Sequence, residues 1–238
     1  MPADYNKSKR ICARGDLMEK KRFQMSDSMK VAIFIVLSGG FQDAYTYFCR
    51  GSVFANAQTG NIVLLASNAM HGNFAGVLKY LIPIFAFMLG TAFSERIHVH
   101  FRDCVKVHWR QLVLLCEIVQ LFIVGFIPQS LNPLANALVS FVCAMQVQSF
   151  HTVYGQVYAS TMCIGNLRSG VEALCRYFQD RDSTQLNRSI TYFSVIFLFA
   201  LGAGFGVLLT EHFGIRAIWL SCALLTIGVI LMFKPEDA

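Results

Sequence analysis

Six stretches of this sequence are almost free of charge and long enough, or nearly so, to cross a lipid bilayer. They run approximately over 31–48, 77–93, 112–127, 134–150, 190–209 and 217–233. Each holds about 16–20 residues, against the roughly 20 that a hydrocarbon core of about 30 Å requires at 1.5 Å per residue. Backbone inside lipid must satisfy its own hydrogen bonds, so such stretches are helices. Composition agrees: 14% of the 238 residues are charged and 55% are hydrophobic, where a soluble domain carries about 25% charged residues. The mean hydropathy is +0.50. The expectation is an all-α polytopic membrane protein, with the lipid bilayer as its first partner.

Residues 1–29 are expected to form a basic, solvated cytoplasmic tail. The first 30 residues hold eight Lys/Arg and four acids but no apolar core or small-residue cleavage site of a secretory signal. A nucleic-acid partner would need denser positive charge interleaved with aromatics; none is expected. The eight cysteines are scattered, with no CxxC and no Cys/His pair at ligand spacing. They are read as small packing residues, and neither a metal nor a cofactor is expected.

The two membrane segments, 30–128 and 133–233, resemble each other. At an offset of 105 the Thr59–Asn61 "TGN" falls on the Ile164–Asn166 "IGN", and Asp43 falls on Gln148. At an offset of 112, "FAFMLGTAF" (85–93) falls on "FLFALGAGF" (197–205) with five of nine positions identical. A longer polar linker, "RYFQDRDSTQLNR", absorbs the change. An internal repeat is expected. Each half then holds three spans plus one short, polar-interrupted segment, Ser52–Met70 in the first and Val157–Phe178 in the second.

If those interrupted segments stop short of crossing, about six full spans result and the halves lie in opposite orientations. If they cross, the layout is eight spans, 4+4. Charge favours six. With the N-terminus inside, Arg96, Arg102, Lys106, Arg110 and Lys234 fall on the cytoplasmic side and the neutral "PQSLNP" turn falls outside.

The stretch "GGFQDAYTYFCRGSVFANAQTGNIVLLA" resembles the signature of the YoaK-type family of bacterial membrane proteins, a domain of unknown function. The resemblance rests on Gly39, Gly40 and Asp43, the Gly51–Phe54 turn and the Thr59-Gly60-Asn61 triplet. Span layout agrees over roughly 28–233. It implies a multi-pass bacterial inner-membrane protein and supplies no substrate or catalytic residue.

Ionisable groups at membrane depth are costly, about 2.5–3.5 kcal/mol on insertion scales, so they mark candidate sites. Asp43 either faces the bundle interior, binding a cation, a proton or a cationic substrate, or sits near the outer end paired with Arg50. Glu117, with Gln120 three residues on, is a proton-relay or ion-pair candidate, or a packing-level hydrogen-bonding group. Gln146, Gln148 and His151 stripe the fourth span, where Gln148 and His151 could line a polar cavity or bond between helices. Asn56, Gln58, Thr59, Gly60 and Asn61 form the first interruption, and Gly165, Asn166 and Arg168 belong to the second. Arg168 and Glu172 have the spacing of a local i,i+4 pair, the alternative being contact with an anionic substrate or headgroup. Gly202, Gly204 and Gly206 suit close helix packing rather than a nucleotide loop.

No nucleophile–base set, HExxH or phosphate loop is present, so an enzyme is not expected. The leading expectation is a small transporter or channel-like permease for a small polar or charged solute, with its site where the interrupted helices meet. Amides near Gly60–Asn61 would suit an anion or a carbonyl dipole, and carbonyls around Asn56–Gln58 a cation. The alternative is a non-transporting scaffold or regulatory subunit. Assembly into a homo-oligomer is left open.

Overall fold

The computed structural model describes residues 27–101, 109–153 and 156–233. Most of the tail, together with Arg102, Cys104, Lys106 and Lys234, lies outside the described residues. Among the described residues eight α-helices follow in order: α1 Met29–Cys49, α2 Gln58–Met70, α3 Phe74–Phe101, α4 Trp109–Val124, α5 Asn132–Ser149, α6 Cys163–Asp180, α7 Ser183–Phe213 and α8 Trp219–Met232. Short 3₁₀ turns (Gln129–Leu131, Gly214–Ile218) lead into α5 and α8, and Thr152–Val153 pairs antiparallel with Gln156–Val157. The fold is all-α.

Local chemistry sets the boundaries. The Ser28 hydroxyl caps α1 by accepting from the Val31 amide, and the Asp182 carboxylate caps α7 by accepting from Thr184. Pro133 sits in the first turn of α5, where its missing N–H costs nothing. Gly214, at φ 55°, ends α7 in a conformation that side chains disfavour.

α1 packs along α7, α3 along α5, and α4 against α8. Three glycines let backbones meet in this bundle. A Cβ on Gly40 would collide with the Phe199 carbonyl, one on Gly202 with that of Leu37, and one on Gly90 with that of Phe141. The sequence reading of close packing holds for Gly202 and for Gly206, which faces Ala44 and Phe41. It fails for Gly204, where an added Cβ would meet nothing within 4 Å.

Two ends of the bundle can be traced by contacts. At one, Arg110 before the body of α4 pairs with Asp27 before α1 (2.6 Å), and Ser94 late in α3 bonds Ser149 at the end of α5 (2.8 Å). At the other, Arg50 after α1 reaches the end of α4 and the start of α5, and Tyr45 bonds the Ile215 carbonyl between α7 and α8 (2.9 Å). α1, α3, α4, α5, α7 and α8 therefore run from end to end. α2 and α6 do not. After α1 the chain doubles back until the Asn56 side chain bonds the Gly39 carbonyl (3.2 Å), and α2 begins there. α6 begins just after Thr161, whose methyl would touch a Cβ on the same Gly39. Gly39 is in the middle of α1.

Among the described residues three helical stretches are long and apolar enough to cross a membrane: Phe74–Phe101, Gln129–Ser149 and Ser183–Met232. The sequence predicts six. α4 and α8 have 16 and 14 residues, or roughly 24 and 21 Å of helix, and the 21 residues of α1 carry a polar middle. Outward faces of α3 and α7 present Phe85, Met88, Leu89, Phe197 and Phe205, each more than half exposed. Apolar exposure on that scale suits lipid contact better than water.

Candidate functional site

The site is built from two loops that return into the bundle and meet against α1. The first, 51–57, is held by Asp43. Its carboxylate accepts the Asn56 amide at 2.7 Å, and the amides of Ala55 and Ala57 face it as well. Asp43 is therefore an interior residue, 8% exposed. It does not pair with Arg50. That guanidinium is fully buried and caps the C-terminal end of α4, donating to the carbonyls of Val124 and Ile127 (both 2.8 Å), to the Tyr45 hydroxyl (2.8 Å) and to Asn132 (3.3 Å). Carbonyls at a helix C-terminus carry partial negative charge, so the cation finds its counter-charge in backbone.

Each loop is then clasped by an asparagine one turn into the following helix. Asn61 is fully buried: its Oδ1 accepts the Phe54 amide (3.1 Å) and its Nδ2 donates to the Phe54 carbonyl (2.7 Å) and to Gln58 Oε1 (3.0 Å). Asn166 makes the corresponding bonds to Ala159, at 3.2 and 2.6 Å. Only a carboxamide offers donor and acceptor side by side to one residue's backbone. Replacing Asn61 or Asn166 with Ala orphans a backbone N–H and C=O, costing about 2 kcal/mol each. Thermal unfolding in detergent should fall by roughly 4–8 °C for either variant; an unchanged melting temperature would contradict the clasp.

At the meeting point of the loops a set of polar side chains surrounds Gly39. Asn56 Nδ2 donates to the Gly39 carbonyl and Gln146 Nε2 to that of Ile35 (2.8 Å), while the Thr161 methyl and the Ser160 main-chain carbonyl lie against the Gly39 Cα. Gln42, fully buried on α1, donates to Ser38 (2.9 Å) and accepts from the Cys143 thiol (2.8 Å). Asn56 Oδ1, Gln146 Oε1, Ser160 Oγ and Thr161 Oγ1 are buried and have no hydrogen-bond partner among the described residues. Farther along, Glu117 on α4 is fully buried with both carboxylate oxygens unpaired, so it does not bond Gln120. Cys143 is within electrostatic reach of both Glu117 and Asp43.

The other expected site residues divide. Gln58 supports its loop by donating to Ala55 (2.8 Å). Thr59, Gly165 and Arg168 are exposed, and Gly60 packs under the Phe54 ring. Gln148 turns outward to Glu95 (2.9 Å) and His151 is exposed, with Nδ1 2.9 Å from the Gln148 carbonyl. Gln146, two residues earlier and about 200° round the helix, takes the interior position instead. Glu172 pairs with Arg176 (2.6 Å) rather than with Arg168. The Gly60 and Asn61 amides are spent on the Ala57 carbonyl (2.9 and 3.4 Å), so they are not offered to an anion. Ser160 and Thr161 escaped the sequence reading, although the offset of 105 places Thr161 on Asn56. Among the described residues no three His, Cys, Asp or Glu side chains gather as a metal cluster.

Fold and site together define a helical bundle with apolar helices outside and a polar interior at the crossing of two short helices. The chain belongs to the family described as protein of unknown function (DUF1275), whose model matches residues 31–231 and which contains the YoaK-type family. No curated protein and no solved structure matches it.

Proposed function

We propose that this chain is a multi-pass inner-membrane permease for a small polar or charged solute, without enzymatic chemistry. One observation carries the reading. Two helices that start in mid-bundle bring their N-termini together at Gly39, among buried polar atoms that the fold itself leaves unpaired. Unpaired buried oxygens cost about 1–3 kcal/mol each, and a purely structural core would have replaced them with apolar groups.

On this reading α1, α3, α4, α5, α7 and α8 cross the membrane, α2 and α6 enter from opposite faces without crossing, and the tail is cytoplasmic. The two halves are an inverted repeat. The matching clasps of Asn61 on Phe54 and Asn166 on Ala159, 105 residues apart at both ends, support this. So do Gly90 on the Phe141 carbonyl and Gly202 on that of Leu37. The latter pair sets the offset between α1 and α5 at 104, which aligns Gln42 with Gln146 in place of Asp43 with Gln148. Duplicated transport folds place their sites at such repeat interfaces.

The test is flux through pure protein in liposomes, read by stopped-flow light scattering with sodium, potassium and ammonium chlorides, urea and glycerol as probes. At least one probe should cross faster than through empty liposomes. Asp43→Asn should lower that flux about tenfold or more, because the neutral amide holds the loop amides less strongly. No flux for any probe, with a stoichiometric partner co-purifying, would replace the permease by a scaffold or regulatory subunit.

A further inference from the structure

Four residues touch Gly39, and each keeps one buried oxygen without a partner: Asn56, Gln146, Ser160 and Thr161. The identity of the two amide oxygens is fixed by their neighbours. The Ile35 and Gly39 carbonyls only accept, so Gln146 and Asn56 must turn their nitrogens toward them and their oxygens away. The two hydroxyls add oxygens that can accept as well. Both amide nitrogens are engaged, each donating to one of these main-chain carbonyls.

The electrostatics point the same way. Two helix N-termini converge here, each equivalent to about half a positive charge. Taken alone they would favour an anion. Asp43 already accepts the loop amides leading into α2, and Cys163, the first residue of α6, lies within its electrostatic reach. One carboxylate thus offsets both helix ends. Glu117, fully buried near Cys143, adds a second carboxyl with no arginine or lysine of the described residues bonded to it.

Building on the permease reading, we infer that the unpaired oxygens of these four residues hold a small monovalent cation, an alkali-metal ion or ammonium. Amide and hydroxyl oxygens are the ligands such hard, weakly charged ions take. Ammonium would present four N–H donors to the four acceptors; sodium or potassium would take the same oxygens as ligands.

Cation binding is read by the melting temperature of the full-length protein in detergent, titrated with sodium, potassium or ammonium chloride against choline chloride at equal ionic strength. At least one of the three should raise it saturably, by roughly 3–6 °C at a tenfold excess over Kd, and choline should not. Sodium chloride and sodium nitrate should act alike. The double variant S160A/T161V removes two hydroxyls that bond nothing among the described residues, so its melting temperature in choline should stay level or rise, while the apparent Kd for the active cation rises at least tenfold. Curves identical with choline, a shift that follows the anion, or an unaltered Kd in S160A/T161V would overturn the site. The liposome assay separates this from the permease reading. Cation binding without flux removes the permease and leaves the site; flux of urea or glycerol with no cation effect removes the site and leaves the permease.

Discussion

Replacing Arg50 with Ala should cost about 3–5 kcal/mol and remove the monodisperse folded peak in detergent size-exclusion chromatography. The side chain is fully buried and joins the end of α1 to the end of α4, the start of α5 and, through Tyr45, the α7–α8 turn. Its loss leaves the Val124 and Ile127 carbonyls without their partner, at about 1–3 kcal/mol each. Arg50→Lys should rescue little, because one ammonium on a flexible stem cannot reach three directions held by a planar fork. A fully folded Arg50→Ala with an unchanged melting temperature would show that water or backbone rearrangement replaces the cap.

The second large effect separates glycines that look alike in sequence. Gly40→Ala pushes a methyl into the Phe199 carbonyl, and Gly90→Ala does the same at Phe141. Backbone cannot move aside as a side-chain tip can, so each should cost about 1–3 kcal/mol, and Leu at either position should prevent folding. Gly204→Ala meets nothing within 4 Å and should be neutral or stabilise α7 by up to about 1 kcal/mol through helix propensity. Thermal unfolding of the three alanine variants checks the order. Equal effects at Gly40 and Gly204 would contradict the close α1–α7 approach.

Both effects bear on what could be read from the chain beforehand. The interruptions at 52–70 and 157–178 were legible because amides and glycine amid apolar runs have few other uses, and the TGN and IGN triplets marked the clasping Asn61 and Asn166. The polar interior was harder. Gln146 and Gln148 differ by two residues, which on a helix is the difference between facing the bundle and facing away. Which one faces α1 depends on the register of two helices brought together by the fold. Glu172 has an arginine four residues before it and another four after. The later one, Arg176, wins, consistent with the better geometry of an acid placed N-terminal to its base. Arg50 lies seven residues from Asp43, so a pair on one helix face was a reasonable expectation. Seven residues is also about 10 Å of axis, and the carbonyls of α4 are at hand. Nothing local in the sequence announces a partner that arrives from 74 residues away.

The permease reading requires that α2 and α6 enter the bundle from opposite ends and stop at Gly39. His71, in the turn after α2, and Asp180, at the end of α6, are exposed and report this directly. In a cysteine-free background, His71→Cys and Asp180→Cys should be labelled by a membrane-impermeant maleimide from opposite faces of the membrane, one in intact cells and the other only in inverted vesicles. Labelling of both from the same face would mean that the two helices cross, giving eight spans and no meeting of half-helices in the membrane.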